Sequence, residues 1–379
     1  MSASSPPSLI ERLDAALTSA VDDRRVVGAA VCVAHRGERI YSKAAGLANR
    51  ETQQPMALDT LVRLASITKP FVTAATLALI ERGTFRLDDA IDKYLPEFKP
   101  RLASGVAPTI SIRHLLTHTS GLNYGFQEMP DGPYHRANVS DGIDQPGLSF
   151  QENLRRLVGV PLIQEPGGAW RYSVALDVLG AVIERATGKS LPAITAEFVT
   201  RPLSMHDTSF RVVDKRRLAS AYVDGKPPTL MTDPQIVPFG PGAGISFSTA
   251  RAFDEGSFPS AGAGMIGSAE DTLRFLECIR RGGAPILSIS SAQAMMTHQL
   301  GALPGHMPGW GFGYGGAVLV DPVAAQTPQS KGTWMWGGVY GHAWFVDPVR
   351  EYTLVLLTNT ALEGMIGRLP MELVGALYS

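Results

Sequence analysis

Segments that read as β-strands sit at the two ends of this chain and are nearly absent from its middle, and that separation restricts the folds open to it. Near the N-terminus, Val27 to Ala34 is a small apolar run, His35-Arg36-Gly37-Glu38 a turn, and Arg39 to Ala45 a second run, together a β-hairpin. Near the C-terminus three strand-like runs follow one another, Phe312–Val320, Gly341–Val346 and Tyr352–Thr358. Strands need partners, so the two ends are expected to meet in one antiparallel sheet. Helical spacing flanks both sets. Ile10, Leu13, Leu17 and Val21 share one helical face, and Leu362–Leu377 also reads as a helix. The expected class is α+β: a sheet built from residues 1-83 and 246-379, covered by terminal helices, with a mostly helical domain inserted at 84-245.

Ser66 to Arg82 carries Phe71, Ala74, Ala75, Leu77, Ala78 and Leu79 and stops at Gly83, which predicts a buried helix. The insertion mixes helical pieces, Ile112–Leu116 and Asp177–Ala186, with loops rich in Gly and Pro that lie over a cleft. Glu270–Arg281 reads as a helix leading back to the sheet. The 39 glycines and 27 prolines follow no period, which favours tight turns over a solenoid.

Charge narrows the function classes. Lys plus Arg is 34 against 35 for Asp plus Glu, a net charge of −1, which argues against nucleic-acid and acidic-membrane partners. No run approaches the ~20 apolar residues of a spanning helix. In the first 25 residues Glu11, Arg12 and Asp14 interrupt any apolar core of a leader, so a secretory signal is not expected and the expected location is cytoplasmic. Cys32 and Cys278 are far apart and are expected as free thiols.

Chemistry points first to Ser66-Ile67-Thr68-Lys69, where loop gives way to the buried helix. Residues three apart share a helical face, so the Lys69 amine can lie beside the Ser66 hydroxyl. A serine is a poor nucleophile until a base takes its proton, and an amine does so only if part of it is held neutral. The Ser66 amide, at the helix start, would face an acyl oxyanion. Tyr172 follows the turn-forming run Glu165-Pro166-Gly167-Gly168, which sets its phenol on a loop; beside an ammonium its pKa is expected to fall, making it a base or proton relay. Trp336-Gly337-Gly338-Val339 precedes a strand-like run; it reads either as a plain turn or as a place where backbone approaches a ligand and offers a second oxyanion amide. His114 and His118 are four apart, but Leu115 stands where a His-Glu-x-x-His protease needs Glu, so both are read as structural; His342 gets no role. No Gly-x-Ser-x-Gly elbow occurs.

Taken in order, these segments resemble the serine β-lactamase and penicillin-binding superfamily, in particular class C β-lactamases and the related family VIII carboxylesterases. The likeness runs through LASITKPFVTAATLALIERGTFRLDDAIDKYLPEF, ISIRHLLTHTSGL, EPGGAWRYSVALDVLGAVIERATG, WGFGYGGAV, WGGVYGHAWFVDP and LVLLTN, nearly the whole chain. The resemblance implies a β-lactamase-like fold, Ser66 as acyl-accepting nucleophile, Lys69 as its partner and Tyr172 as base or relay. It further implies an oxyanion hole from the amides of Ser66 and Val339, with Tyr124, Trp336, Gly337 and Gly338 lining the substrate cleft. Two departures bear on substrate. The family's Tyr-x-Asn is here Tyr172-Ser173-Val174, and its Lys-Thr-Gly is Trp336-Gly337-Gly338. The amide and the cation that hold a lactam are both missing, and at ~1–3 kcal/mol for each unpaired polar group that disfavours lactam turnover.

The expected function is therefore a serine carboxylesterase acting on small, short-chain acyl esters without metal or cofactor. The alternatives are a β-lactamase or D,D-peptidase-like hydrolase, an acyltransferase, and a non-catalytic ligand sensor on the same scaffold. The natural ester, the acyl-length limit and the oligomeric state are not readable.

Overall fold

The computed structural model describes residues 7–379; residues 1–6, where the leader reading starts, lie outside the described residues. Its centre is an eight-stranded antiparallel sheet. Chain order supplies β1 (Gly28–His35), β2 (Glu38–Asn49), β3 (Gln54–Pro55), β4 (Trp310–Phe312), β5 (Ala317–Leu319), β6 (Trp334–Gly338), β7 (His342–Asp347) and β8 (Tyr352–Thr358). Across the sheet they run β4-β5-β6-β7-β8-β1-β2-β3, so first and last segments meet at β1·β8, in a register of Ala29 opposite Thr358 and Cys32 opposite Val355.

β1 is a continuous apolar run because both of its faces are covered. Ala29, Val31 and Val33 pack with Leu13 and Leu17 of α1 (Leu9–Asp22) and Leu369 and Leu373 of the C-terminal helix Arg368–Tyr378. Ala30, Cys32 and Ala34 point the other way, into a core shared with Phe71, Phe275, Leu115 and Val182. Ser8 starts α1 with a capping box, its Oγ accepting from the Glu11 amide while Glu11 accepts from the Ser8 amide.

α2 (Thr68–Glu81) is buried from Thr68 to Leu79, which explains why its sequence is apolar nearly all round. It lies between the sheet side of the core and the helices of the middle segment, with the Phe71 ring 4.3 Å from that of Phe275 of the helix Ala269–Arg280 and tilted against it. Gly83, at φ +75°, ends it as expected. Both cysteines are free and buried.

Three expectations change. Phe312–Val320 is not one strand: Gly313–Gly316 folds it back, and β4 pairs with β5. The C-terminal helix is broken at Gly367 into Glu363–Ile366 and Arg368–Tyr378. Trp336-Gly337-Gly338, weighed as a turn, lies inside β6, and the turn comes afterwards at 339–341. The reason is steric: a Cβ on Gly338 would stand 2.6 Å from the Leu64 carbonyl oxygen, so the strand needs glycine to pass the segment before Ser66.

Candidate active site

Ser66 sits on a single 3-10 turn, Ala65–Ile67, immediately ahead of α2. Ala65 has φ +46°, a left-handed conformation that costs a non-glycine residue about 1–3 kcal/mol and persists only where its surroundings enforce it. Those surroundings are identifiable. The Leu64 amide donates to the Met265 carbonyl at 2.9 Å, and the Met265 amide donates to Thr68 Oγ1 at 3.0 Å, so both sides of the turn are pinned to one residue. Val62 and Arg63 pair with Ile266 and Gly267 in a short ladder.

His342 adds a third tie. Its Nδ1 accepts from the Thr358 amide at 3.2 Å, which leaves the proton on Nε2 to donate to the Arg63 carbonyl at 2.9 Å. Burial pushes this imidazole down to about 4, so it stays neutral and holds this tautomer. The sequence offered no signal for this support, because Arg63 is 279 positions from His342 and the Thr358 amide reaches the ring across paired strands.

The Ser66 Oγ has two neighbours. Lys69 Nζ lies 3.2 Å away and the Tyr172 hydroxyl 2.7 Å away. Lys69 is fully buried, its Nζ donating to the Gly262 carbonyl at 2.8 Å and lying over the Tyr172 and Tyr124 rings at 4.6 and 5.4 Å. Burial pulls the amine from 10.5 down to about 7, with Asp177 and Asp141 opposing the fall. The phenol moves the opposite way from expectation. Burial raises Tyr172, and the hydrogen bonds with Ser66 and Trp336 only moderate the rise. Near neutral pH the amine is therefore partly neutral, and the phenol holds its proton.

These assignments give a directed chain of hydrogen bonds. Trp336 Nε1 donates to Tyr172 Oη at 3.2 Å, Tyr172 donates to Ser66 Oγ, and the Ser66 proton points to the lone pair of neutral Lys69, which donates onward to Gly262. The Tyr172 loop is fixed by its backbone: the Gly167 amide donates to Thr119 O at 2.7 Å and the Arg171 amide to His118 O at 2.8 Å. His118 packs 4.8 Å from the Tyr172 ring, accepts from the Ser173 amide at 3.3 Å and is held neutral by burial. His114 caps its own short helix, its Nδ1 accepting from the Ser111 amide, so the two histidines do different structural work.

Walls around this centre are largely aromatic. Tyr124 is buried, its ring 5.0 Å from Tyr172 and stacked 4.9 Å from the half-buried Phe126. Trp170, His306 and Trp336 form the other side, with His306 5.6 Å from Trp170 and 5.3 Å from Trp336. At the position of the missing Asn, Val174 is fully buried, and Ser173 faces His118. Val339 follows β6 directly, beside Gly338 at the Leu64 carbonyl. Ser66, Lys69, Tyr172, Tyr124 and Trp336 are thus brought together. Sequence reasoning missed Asp177, Gly262, Trp170 and His306. Only Asp177 had a readable signal, as the one acid in the apolar stretch Ser173–Val182.

A family model described as Beta-lactamase matches residues 13–369. Esterase EstB of Burkholderia gladioli is 50% identical over 376 residues, covering 98% of this chain and 96% of the other. Among solved structures, EstCE1, described as a hydrolase with promiscuous acyltransferase activity, superposes with a TM-score of 0.93 at 43% identity over 98% of both chains. Unliganded Simvastatin Synthase (LovD) from Aspergillus terreus has a TM-score of 0.76 at 22% identity over 98% of both chains, a likeness of fold alone.

Proposed function

This chain belongs to the β-lactamase family, and from that premise we propose that it hydrolyses carboxylic esters through an acyl-enzyme on Ser66. The observation that carries the reading is one oxygen with two proton-handling neighbours: Ser66 Oγ within 3.2 Å of Lys69 Nζ and 2.7 Å of Tyr172 Oη, the amine being half neutral near pH 7. Likeness to Esterase EstB and EstCE1 supports the ester as the bond cleaved.

Lys69 takes the Ser66 proton as Oγ attacks the ester carbonyl, and the amides of Ser66 and Val339 receive the developing oxyanion. Tyr172 passes its proton to the departing alkoxide and is reprotonated from Lys69, which restores both groups for the attack of water on the acyl-enzyme. The cleft lies where the segments 1-83 and 246-379 meet the inserted 84-245: Ser66, Lys69 and Trp336 come from the first, Tyr172 and Tyr124 from the second.

Substrate class follows from the walls. Trp336 puts an indole where a lactam-binding lysine stands in the family pattern, and Val174 puts a buried apolar group where an amide would be. Neutral, apolar esters lose nothing there, whereas a lactam's carboxylate and acylamino group find no partner. Acyl transfer to an alcohol is a second reading, favoured by the description of EstCE1; it uses the same acyl-enzyme with an alcohol in place of water.

Hydrolysis of a short p-nitrophenyl ester tests the proposal. Ser66→Ala is expected to reduce kcat by at least about a thousand-fold with the fold intact by circular dichroism, and turnover of a chromogenic cephalosporin is expected to be far slower than that of the ester. Substantial esterase activity in the Ala variant would end the assignment. Added alcohol that diverts product from acid to ester would establish the second reading.

A further inference from the structure

We propose that Asp177 is a positioning residue for the Lys69 amine: it clamps the peptide whose carbonyl Nζ binds, and it supplies the buried negative charge that balances the ammonium form. The proposal rests on the reading of Lys69 as the base for Ser66. Asp177 lies in the first turn of α3 (Ala175–Thr187) and is 2% exposed. Its Oδ1 accepts from the Gly262 amide at 3.0 Å and from Ser260 Oγ at 2.7 Å, and the Gly262 carbonyl in turn accepts from Lys69 at 2.8 Å. One residue is thus held at its N–H by the acid and presented at its C=O to the amine. The approach is close, since a Cβ at residue 262 would stand 3.0 Å from Tyr124 Oη and 3.3 Å from Asp177 Oδ2.

Loop anchoring alone does not account for an acid. Both bonds go to Oδ1, which an asparagine oxygen would serve equally, while Oδ2 is buried with no hydrogen-bond partner among the described residues. An unpaired carboxylate oxygen is an expensive group to retain in an interior, so the charge itself needs a use.

The neighbouring groups leave that use to Asp177. The titratable groups facing Lys69 are Asp177, Asp141, Tyr124, Tyr172 and His118. Both phenols are pushed up by burial and His118 is pushed well down, so none of the three is charged near pH 7. Burial and Asp144 raise Asp141 to about 8 even though it accepts from the Gly125 and Phe126 amides, which leaves it mostly protonated. Asp177 is also raised by burial, but the Gly262 and Ser260 hydrogen bonds and Lys69 itself favour its carboxylate. Arg251 also favours the Asp177 carboxylate through its charge, yet its guanidinium is committed to the carbonyls of Asp144, Gln145 and Phe258.

Asp177→Asn keeps the Oδ1 acceptor and removes only the charge. The midpoint of the acid limb of kcat/KM for p-nitrophenyl ester hydrolysis, with each profile normalised to its own plateau, is then expected to move to lower pH by about one unit, a ten-fold rise in the fraction of plateau activity retained at a fixed acid pH. Plateau kcat is expected to fall about ten-fold, because the amine becomes a weaker base, while KM stays within about two-fold. Asp177→Glu, which retains the charge, is expected to keep the wild-type midpoint. Should the Asn variant not fold, Asp177→Ser carries the same expectation. Coincident acid-limb midpoints in the normalised profiles of wild type and the uncharged variants overturn the proposal while leaving the esterase reading intact. An acid limb that survives in Lys69→Ala overturns the base assignment, and the proposal with it.

Discussion

The sharpest consequence of the site concerns the pH at which Lys69 works. An ordinary lysine at 10.5 is neutral in only about one molecule in 3,000 at pH 7. Here burial brings the amine to about 7, so half of the molecules hold a competent base at that pH. The drop corresponds to roughly 5 kcal/mol of differential destabilisation of the ammonium, supplied by a site in which Nζ meets one hydroxyl, one carbonyl and two ring faces. The direction is fixed by the need for the neutral form. Activity must rise with pH through the midpoint and fall about ten-fold per pH unit below it, giving about 100-fold less kcat/KM at pH 5 than on the plateau. The assay is kcat/KM for a neutral ester from pH 4.5 to 9, corrected with Ser66→Ala for spontaneous hydrolysis. Lys69→Ala should lose about 10²–10⁴-fold on the plateau, the usual worth of a positioned general base. A flat profile between pH 5 and 8, or an acid limb centred above pH 9, would refute the reasoning, because the first removes the titrating base and the second returns it to its solution value.

Two further expectations concern the strand that borders the site. Trp336→Phe removes the indole donor to Tyr172 Oη and keeps an aromatic wall, so kcat should fall about five-fold for the loss of one neutral hydrogen bond of about 1 kcal/mol, with little change in KM; an effect confined to KM would make the indole a wall only. Gly338→Ala places a Cβ 2.6 Å from the Leu64 oxygen and must push β6 off the nucleophile turn, so kcat is expected to drop at least about ten-fold and thermal unfolding to occur a few degrees lower; wild-type kcat in that variant would show that the Val339 amide is not positioned by this contact.

Which parts of this molecule were legible depended on how far their causes lie along the chain. The β1–β2 hairpin, α1, α2 and β8 follow from local periodicity, and the split between the two core faces of β1 is carried by alternation. Ser66 and Lys69 were readable because their spacing is helical, and Tyr172 because a glycine-rich turn precedes it. The glycines of β6 defeated the same logic: glycine usually marks a turn, but here it answers a carbonyl from a segment more than 270 positions earlier. The pKa of Tyr172 was expected to fall beside a cation, yet burial governs both groups, discharging the amine and protecting the phenol. Asp177 acts through Ser260 and Gly262, 83 and 85 residues away, a link that no spacing rule contains.

Because β1 is sandwiched between β2 and β8, the sheet cannot close until the segment ending at Thr358 has left the ribosome. Through most of translation the Ser66 turn lacks the strand and the imidazole that brace it, and β1 shows two sticky faces to the cell. A topology of such long-range pairing folds slowly and is exposed to aggregation while incomplete. Ester cleavage by this chain would therefore serve as a reporter of finished synthesis, silent in every nascent fragment that stops short of those last strands.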